Sequence, residues 1–258
     1  MDLLELSDQG MTWETLFVRG GFPDPLLAPT DAWSFRLRRD FIRTFLEREL
    51  AWMHPRLPAE ALSRLWTMLA HGQGGLLNAA RLAGSLGVAV RTLNRYLGVL
   101  FDLLLVRRLL PFRANIGKRL VKSPRVYLRD SGFVHALLSL SGFEAVAGHP
   151  VAGASWKGFV IENLLAVVPD RTAASFFRTA AGAEMDLVLD LPGGERWAIE
   201  AKWARVPRPT KGFHLARGAL APDRTFLVGT GPARASRDDG VEVIPLRDLA
   251  AALAARSR

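Results

Sequence analysis

Asp186 is followed after thirteen intervening residues by Glu200-Ala201-Lys202, and both acidic positions interrupt apolar runs, Glu184-Met185-Asp186-Leu187-Val188-Leu189 and Trp197-Ala198-Ile199-Glu200-Ala201-Lys202-Trp203. Alternating apolar runs of this kind predict β-strands, and a carboxylate inside one costs stability unless it has a partner. Strand residues two apart share a face, so Glu200 and Lys202 are expected on one side, with Ile199, Ala201 and Trp203 on the other. A hairpin through Pro192-Gly193-Gly194 returns the chain so that Glu200 approaches Asp186. Two carboxylates and the carbonyl of Ala201 are hard oxygen ligands suited to Mg²⁺ or Mn²⁺. Such an ion activates water and neutralises charge on a phosphate, with Lys202 orienting the nucleophile or stabilising the transition state, so the expected chemistry is phosphodiester hydrolysis. Glu162, on a preceding helix, is a fourth candidate that holds the metal through water or holds Lys202. The same Glu-x-Lys spacing equally suits a solvated ion pair across one strand face.

The elements expected to position these residues form an α/β domain at 153–258. It comprises a helix from Ser155 to about Val167, strands at Phe176–Thr179, Met185–Leu189, Trp197–Trp203, Thr225–Val228 and Val241–Ile244, and helices near Lys211–Leu220 and Leu246–Ala254. Before it, residues 1–58 form a helical segment and 131–152 a linker. In the first of these a helix from about Asp31 to Met53 places Leu37, Phe41, Phe45 and Leu46 on one face and Arg36, Arg39, Arg43 and Glu47 on the other.

Residues 59–130 read as a winged helix-turn-helix. Leu77–Leu86 is the first helix, Gly87-Val88-Ala89 the turn and Val90–Leu105 the second helix, with Leu82, Leu86, Val88, Leu93, Leu97 and Leu100 as shared core. Arg91, Asn94 and Arg95 fall on the outward face, where a recognition helix presents donors to base edges and phosphates. Strands Val106–Pro111 and Leu120–Tyr127, joined through Asn115-Ile116-Gly117, form a wing carrying Lys118, Arg119, Lys122 and Arg125. From Arg64 to Arg129 there are twelve Lys or Arg and one acid, Asp102, a local net charge of +11 against +9 for the whole chain. Charge concentrated this way suits a nucleic acid, DNA foremost, as partner; a winged helix also serves as a protein-interaction module or spacer.

The chain contains no cysteine, which excludes disulfides, thiolate catalysis and cysteine-bound zinc. No uncharged apolar stretch approaches the ~20 residues of a membrane helix, and Asp2, Glu5 and Asp8 do not suit a signal peptide, so a cytoplasmic protein without a membrane partner is expected. The five histidines, His54, His71, His135, His149 and His214, have no metal-ligand spacing and form no visible nucleophile–base pair.

Several phrases, in order, carry a resemblance: Arg19-Gly20-Gly21-Phe22-Pro23, Phe45-Leu46-Glu47-Arg48-Glu49-Leu50, Leu82-Ala83-Gly84-Ser85-Leu86-Gly87-Val88, Lys118 through Tyr127, Asp130-Ser131-Gly132, Gly158-Phe159-Val160-Ile161-Glu162-Asn163 and Ile199-Glu200-Ala201-Lys202. The chain resembles the C-terminal domain family found beside AAA-type ATPase cores in bacterial and archaeal ATP-binding proteins. Its last part is similar to PD-(D/E)xK, restriction-endonuclease-like domains. The resemblance implies Glu162, Asp186, Glu200 and Lys202 as the nuclease-like positions, and Arg91–Arg95 with the Lys118–Arg125 wing as the winged-helix surface. It also implies an ATPase partner, either a domain of the same longer protein or a protein acting in trans. These residues contain no Gly-x-x-x-x-Gly-Lys-Ser/Thr, and Gly72-Gln73-Gly74-Gly75 lacks the lysine, so no ATP site is expected in this chain. Lys157 departs from the acid that relatives often carry there. Two functions are therefore expected: a nucleic-acid-binding, metal-dependent nuclease, or a catalytically inactive nuclease-like module that binds DNA or a partner and works with an ATPase. A structural or oligomerising tail is the third.

Overall fold

The computed structural model describes residues 1, 3–6, 10–49, 58–112 and 120–256. It is an α/β protein whose contacts divide it into two units, one of Met1–Arg108 and Val126–Phe159, the other of Leu109–Arg125 and Val160–Arg258.

In the first unit the helices are α1 (Leu3–Leu6), α2 (Trp13–Arg19), α3 (Pro23–Leu26), α4 (Asp31–Thr44) running into a π-helical turn (Phe45–Glu49), α5 (Ala59–His71), α6 (Ala79–Leu86) and α7 (Val90–Asp102). Side-chain oxygens of Thr12, Thr30 and Asn78 accept from the N–H three residues on and start α2, α4 and α6. Gly87 ends α6 at φ +73°, a conformation only glycine adopts without strain, and turns the chain into α7. The short strands β1 (Val106–Leu109) and β2 (Arg125–Leu128) pair, then α8 (Ser131–Leu137) and α9 (Phe143–Ala147) lead to α10 (Ala152–Leu165).

The expected apolar face of α4 is shifted. Ser34, Arg38 and Ile42 are buried, followed by Leu46, while Leu37, Phe41 and Phe45 are only half-buried. Arg38 is wholly buried and donates to the carbonyls of Val18 (2.8 Å), Gly132 (3.0 Å) and Ser34 (3.3 Å), which is what draws a charged residue inward. Burial lowers its pKa to about 10. His135, also wholly buried, donates from Nδ1 to Val18 O (3.2 Å) and accepts at Nε2 from Ser155 Oγ (2.9 Å). Burial, with Arg38 and His149 nearby, lowers it to about 3, so it is held neutral. Asp130 accepts from Gly21 N (2.8 Å) and Phe133 N (2.9 Å), and burial raises its pKa against those bonds. A Cβ on Gly20 would lie 2.1 Å from Asp130 Oδ1 and one on Gly132 2.2 Å from Arg19 O, so the Arg-Gly-Gly and Asp-Ser-Gly phrases are two halves of one backbone contact.

Gly72-Gln73-Gly74-Gly75 also has a structural task. Gln73 donates Nε2 to Leu128 O (3.1 Å) and accepts Leu128 N at Oε1 (2.8 Å), so its amide mimics a neighbouring strand along β2. Gly74 N to Val126 O (2.8 Å) and Val126 N to Gly75 O (3.1 Å) extend that pairing.

The second unit is a six-stranded mixed sheet of order β3-β4-β5-β6-β8-β7, with β3 (Ala173–Arg178), β4 (Glu184–Asp190), β5 (Arg196–Ala201), α11 (Lys211–Leu220), β6 (Arg224–Gly229), β7 (Ala235–Ser236), β8 (Val241–Pro245) and α12 (Leu246–Ala254) in chain order. β3-β4-β5 is antiparallel throughout, and β6 then joins β5 in parallel, as β8 joins β6. Buried Phe112, Phe177, Met185, Val188, Ala198, Phe213 and Leu227 share its core.

The expected wing is redistributed. Beyond β1, Phe112 N donates to Phe176 O (2.7 Å) and Phe176 N to Leu110 O (3.0 Å); before β2, Val121 N donates to Arg178 O (3.1 Å). These segments line the outer edge of β3 because Phe112 and Leu120 bury against that sheet's core. The Asn115–Gly117 turn, Lys118 and Arg119 lie outside the described residues.

Candidate functional site: a charge-balanced carboxylate cluster

The β4–β5 hairpin sets the site. Gly193 and Gly194, at φ +94° and +90°, make the turn, closed by Leu191 N to Glu195 O (2.9 Å). Leu187 pairs with Ile199, and the same register one residue further brings Asp186 opposite Glu200. Beyond β5, Lys202 N donates to Val228 O (2.9 Å), so the parallel pairing with β6 continues through the Glu-x-Lys triplet. Lys202 Nζ donates to Glu200 Oε1 at 2.6 Å. Asp186 and Glu200 are 1% and 3% exposed.

Both oxygens of Asp186 hold donors: Ala201 N to Oδ2 (3.1 Å) and Arg125 Nη1 to Oδ1 (3.1 Å). Ala201, expected to offer its carbonyl to a metal, meets Asp186 through its N–H. Arg125 also donates from Nη2 to Glu184 Oε1, and its guanidinium carbon stands 4.9 Å from the centre of the Phe176 ring. Glu184 Oε2 in turn lies 3.5 Å from Arg178 Nη1, across from it on β3.

Arg125 was expected on a phosphate-facing wing; it is corrected here to a buried residue, 4% exposed. The reason is charge compensation, because a nearly inaccessible Asp186 requires a cation and the first residue of β2 supplies one. Among the described residues, Arg125, Arg178 and Lys202 thus pair with the carboxylates Glu184, Asp186 and Glu200. Glu184, and the pairing of Arg125 with the carboxylates, are not among the contacts the sequence predicts. The signal available was an arginine directly preceding the apolar Val126-Tyr127-Leu128.

Glu162 is half-buried on α10 in the same unit. Arg91, Asn94 and Arg95 are exposed on α7 while Leu93, Tyr96, Leu97 and Leu100 are buried, as the helical spacing predicts. Lys122 is exposed.

Among the described residues no group of three or more Asp, Glu or His side chains is arranged to hold a metal ion. Each oxygen of Asp186 already accepts one hydrogen bond, so Mg²⁺ or Mn²⁺ there would share the carboxylate with a guanidinium and an amide. At an effective dielectric of about 20, unit charges about 4 Å apart interact by about 4 kcal/mol, so a divalent ion beside Arg125 would meet roughly twice that in repulsion, set against the attraction of the neighbouring carboxylates. As arranged, Arg125 stands beside Asp186 where a metal ion on that carboxylate would need room.

Fold and site define an α/β protein with a helical N-terminal unit and a mixed sheet enclosing paired carboxylates and cations. Residues 11–144, more than half the chain, match the family described as Domain of unknown function (DUF8612), and the chain belongs to that family. Residues 152–249 match a second one, Domain of unknown function (DUF4143). Two curated relatives, Uncharacterized protein Mb2031c of Mycobacterium bovis and Uncharacterized protein Rv2008c of Mycobacterium tuberculosis, are each 40% identical over 232 residues, covering 90% of this chain and 52% of theirs. The chain therefore spans about half the length of the curated relatives it matches. No solved structure matches it. Among the described residues no helix is long and apolar enough to cross a membrane.

Proposed function

We propose that this chain is a nucleic-acid-binding module, with the α6–Gly87–α7 arrangement as the phosphate-engaging part and the mixed sheet as a nuclease-like scaffold that does not cut. The observation that carries this is the exposed Arg91, Asn94, Arg95 face of α7 in a segment whose sequence carries a net charge of +11, one cation of which, Arg125, is buried and turned to the carboxylates. The proposed partner is DNA, and an ATPase, in the same longer protein or in trans, is the partner that the family resemblance implies. Fluorescence anisotropy with labelled duplex and single-stranded DNA across a salt series tests the reading. Arg91→Ala and Arg95→Ala are each expected to lower the slope of log K against log salt by about 0.9 if they touch duplex phosphates. Salt-independent or absent binding refutes it.

A second reading, metal-dependent phosphodiester hydrolysis, draws support from Asp186 opposite Glu200, Lys202 beside it, and a helix, strand, strand, strand, helix, strand order of the kind PD-(D/E)xK domains have. It requires Asp186 to accommodate an ion beside the guanidinium of Arg125. Mn²⁺-dependent cleavage of DNA or RNA that disappears in Asp186→Asn would favour it over the first; substrates left intact with Mg²⁺ and Mn²⁺ would dismiss it.

A further inference from the structure

We infer that Arg125 is the resident cation of the Asp186 site and that it keeps divalent metal out. The inference rests on reading the sheet as a non-cutting scaffold, and its test uses no nucleic acid, so its failure leaves the DNA-binding reading standing.

The placement of Arg125 is that of a built-in counter-ion. Its two terminal nitrogens serve two carboxylates, one fully buried, while its face lies over Phe176 in a position 4% exposed to solvent. A guanidinium does not lose its proton in a protein, so unlike a lysine it cannot vacate its charge to admit an ion. Glu184 and Asp186 stand two apart on β4, on one face, and the β4–β5 register brings Glu200 opposite Asp186. Removing only the guanidinium takes one positive charge from three carboxylates that, in the ion pairs of the described residues, otherwise meet Arg178 and Lys202. That excess negative charge, built of hard oxygen donors, is what Mn²⁺ or Mg²⁺ binds. The arginine thus replaces, within the chain, the charge that a metal would bring.

Mn²⁺ uptake by the full chain, followed through the electron paramagnetic resonance signal of the free ion, tests this directly. The wild type is expected to show no uptake that depends on Asp186. Arg125→Gln is expected to bind one Mn²⁺ about tenfold tighter or more, and Arg125→Gln combined with Asp186→Asn to lose that gain. Uptake by the wild type that Asp186→Asn abolishes overturns the inference. So does an Arg125→Gln protein with a wild-type circular dichroism spectrum that binds Mn²⁺ no better than wild type. Where Arg125→Gln does not fold, the comparison of wild type with Asp186→Asn decides alone, absence of Asp186-dependent uptake supporting the inference and its presence defeating it.

Discussion

His135 makes the stability of the first unit depend on pH in a defined direction. Its folded pKa of about 3 lies below its ordinary 6.5, so the unfolded chain takes up the proton first. The contribution is complete above pH 6.5 and is lost as pH falls from there toward 3. Its ceiling is about 5 kcal/mol, and between pH 7 and pH 5 the loss is about 2 kcal/mol. Urea unfolding followed by tryptophan fluorescence, with buried Trp66 and Trp156 as reporters, measures that loss in wild type and in His135→Gln. Glutamine keeps an amide capable of both polar contacts but does not titrate in this range. Asp130, raised by burial, acts in the opposite sense, losing stability as pH rises above the normal carboxylate range, and is common to both. The wild type is expected to lose about 2 kcal/mol more than the variant on going from pH 7 to pH 5; pH dependences that agree within about 0.5 kcal/mol refute the account of His135 as a buried neutral group.

Further outcomes follow from the same contacts. Asp186→Asn takes the charged partner from a buried guanidinium and is expected to destabilise by about 3 kcal/mol in a chemical melt, whereas a carboxylate held ready for a metal would be relieved by neutralisation, so a stabilised variant argues for the nuclease reading. Gly158→Ala would put a methyl 2.6 Å from Gln73 Nε2 and 3.2 Å from Tyr127 Cδ1. A loss of about 1–3 kcal/mol is expected, read from the urea midpoint. Gly84→Ala, on α6 with nothing within 4 Å, is its control and is expected to gain about 0.5–1 kcal/mol in the same assay.

Local periodicity made much of the site legible. Glu200 and Lys202 sit two apart on a strand, and a Pro-Gly-Gly turn of the right length brings Asp186 to Glu200, so Asp186, Glu200 and Lys202 could be placed from spacing alone. Arg125 could not, because its carboxylate partner is 61 residues away and the run of basic residues around it points to solvent. Arg38 escaped for a related reason: helix spacing places it one step from Leu37, and only the distant carbonyls of Val18 and Gly132 make its burial favourable. Apolar residues announce their burial by pattern, whereas a buried charge depends on a partner the pattern does not contain. The strands beyond β1 and before β2 misled similarly, since their bonding to β3 is set by the burial of Phe112 and not by the hairpin they suggest.

Those same bonds have a consequence for association. The backbone of β3 on its outer side is taken up by residues 110–112 and 121, and the opposite end of the sheet terminates in the two-residue, exposed β7. Among the described residues, neither margin offers a long row of open amides on which a second chain could template itself. Self-assembly by strand addition is thereby discouraged, and a protein partner has helix faces and loops as its avenue of approach to this sheet.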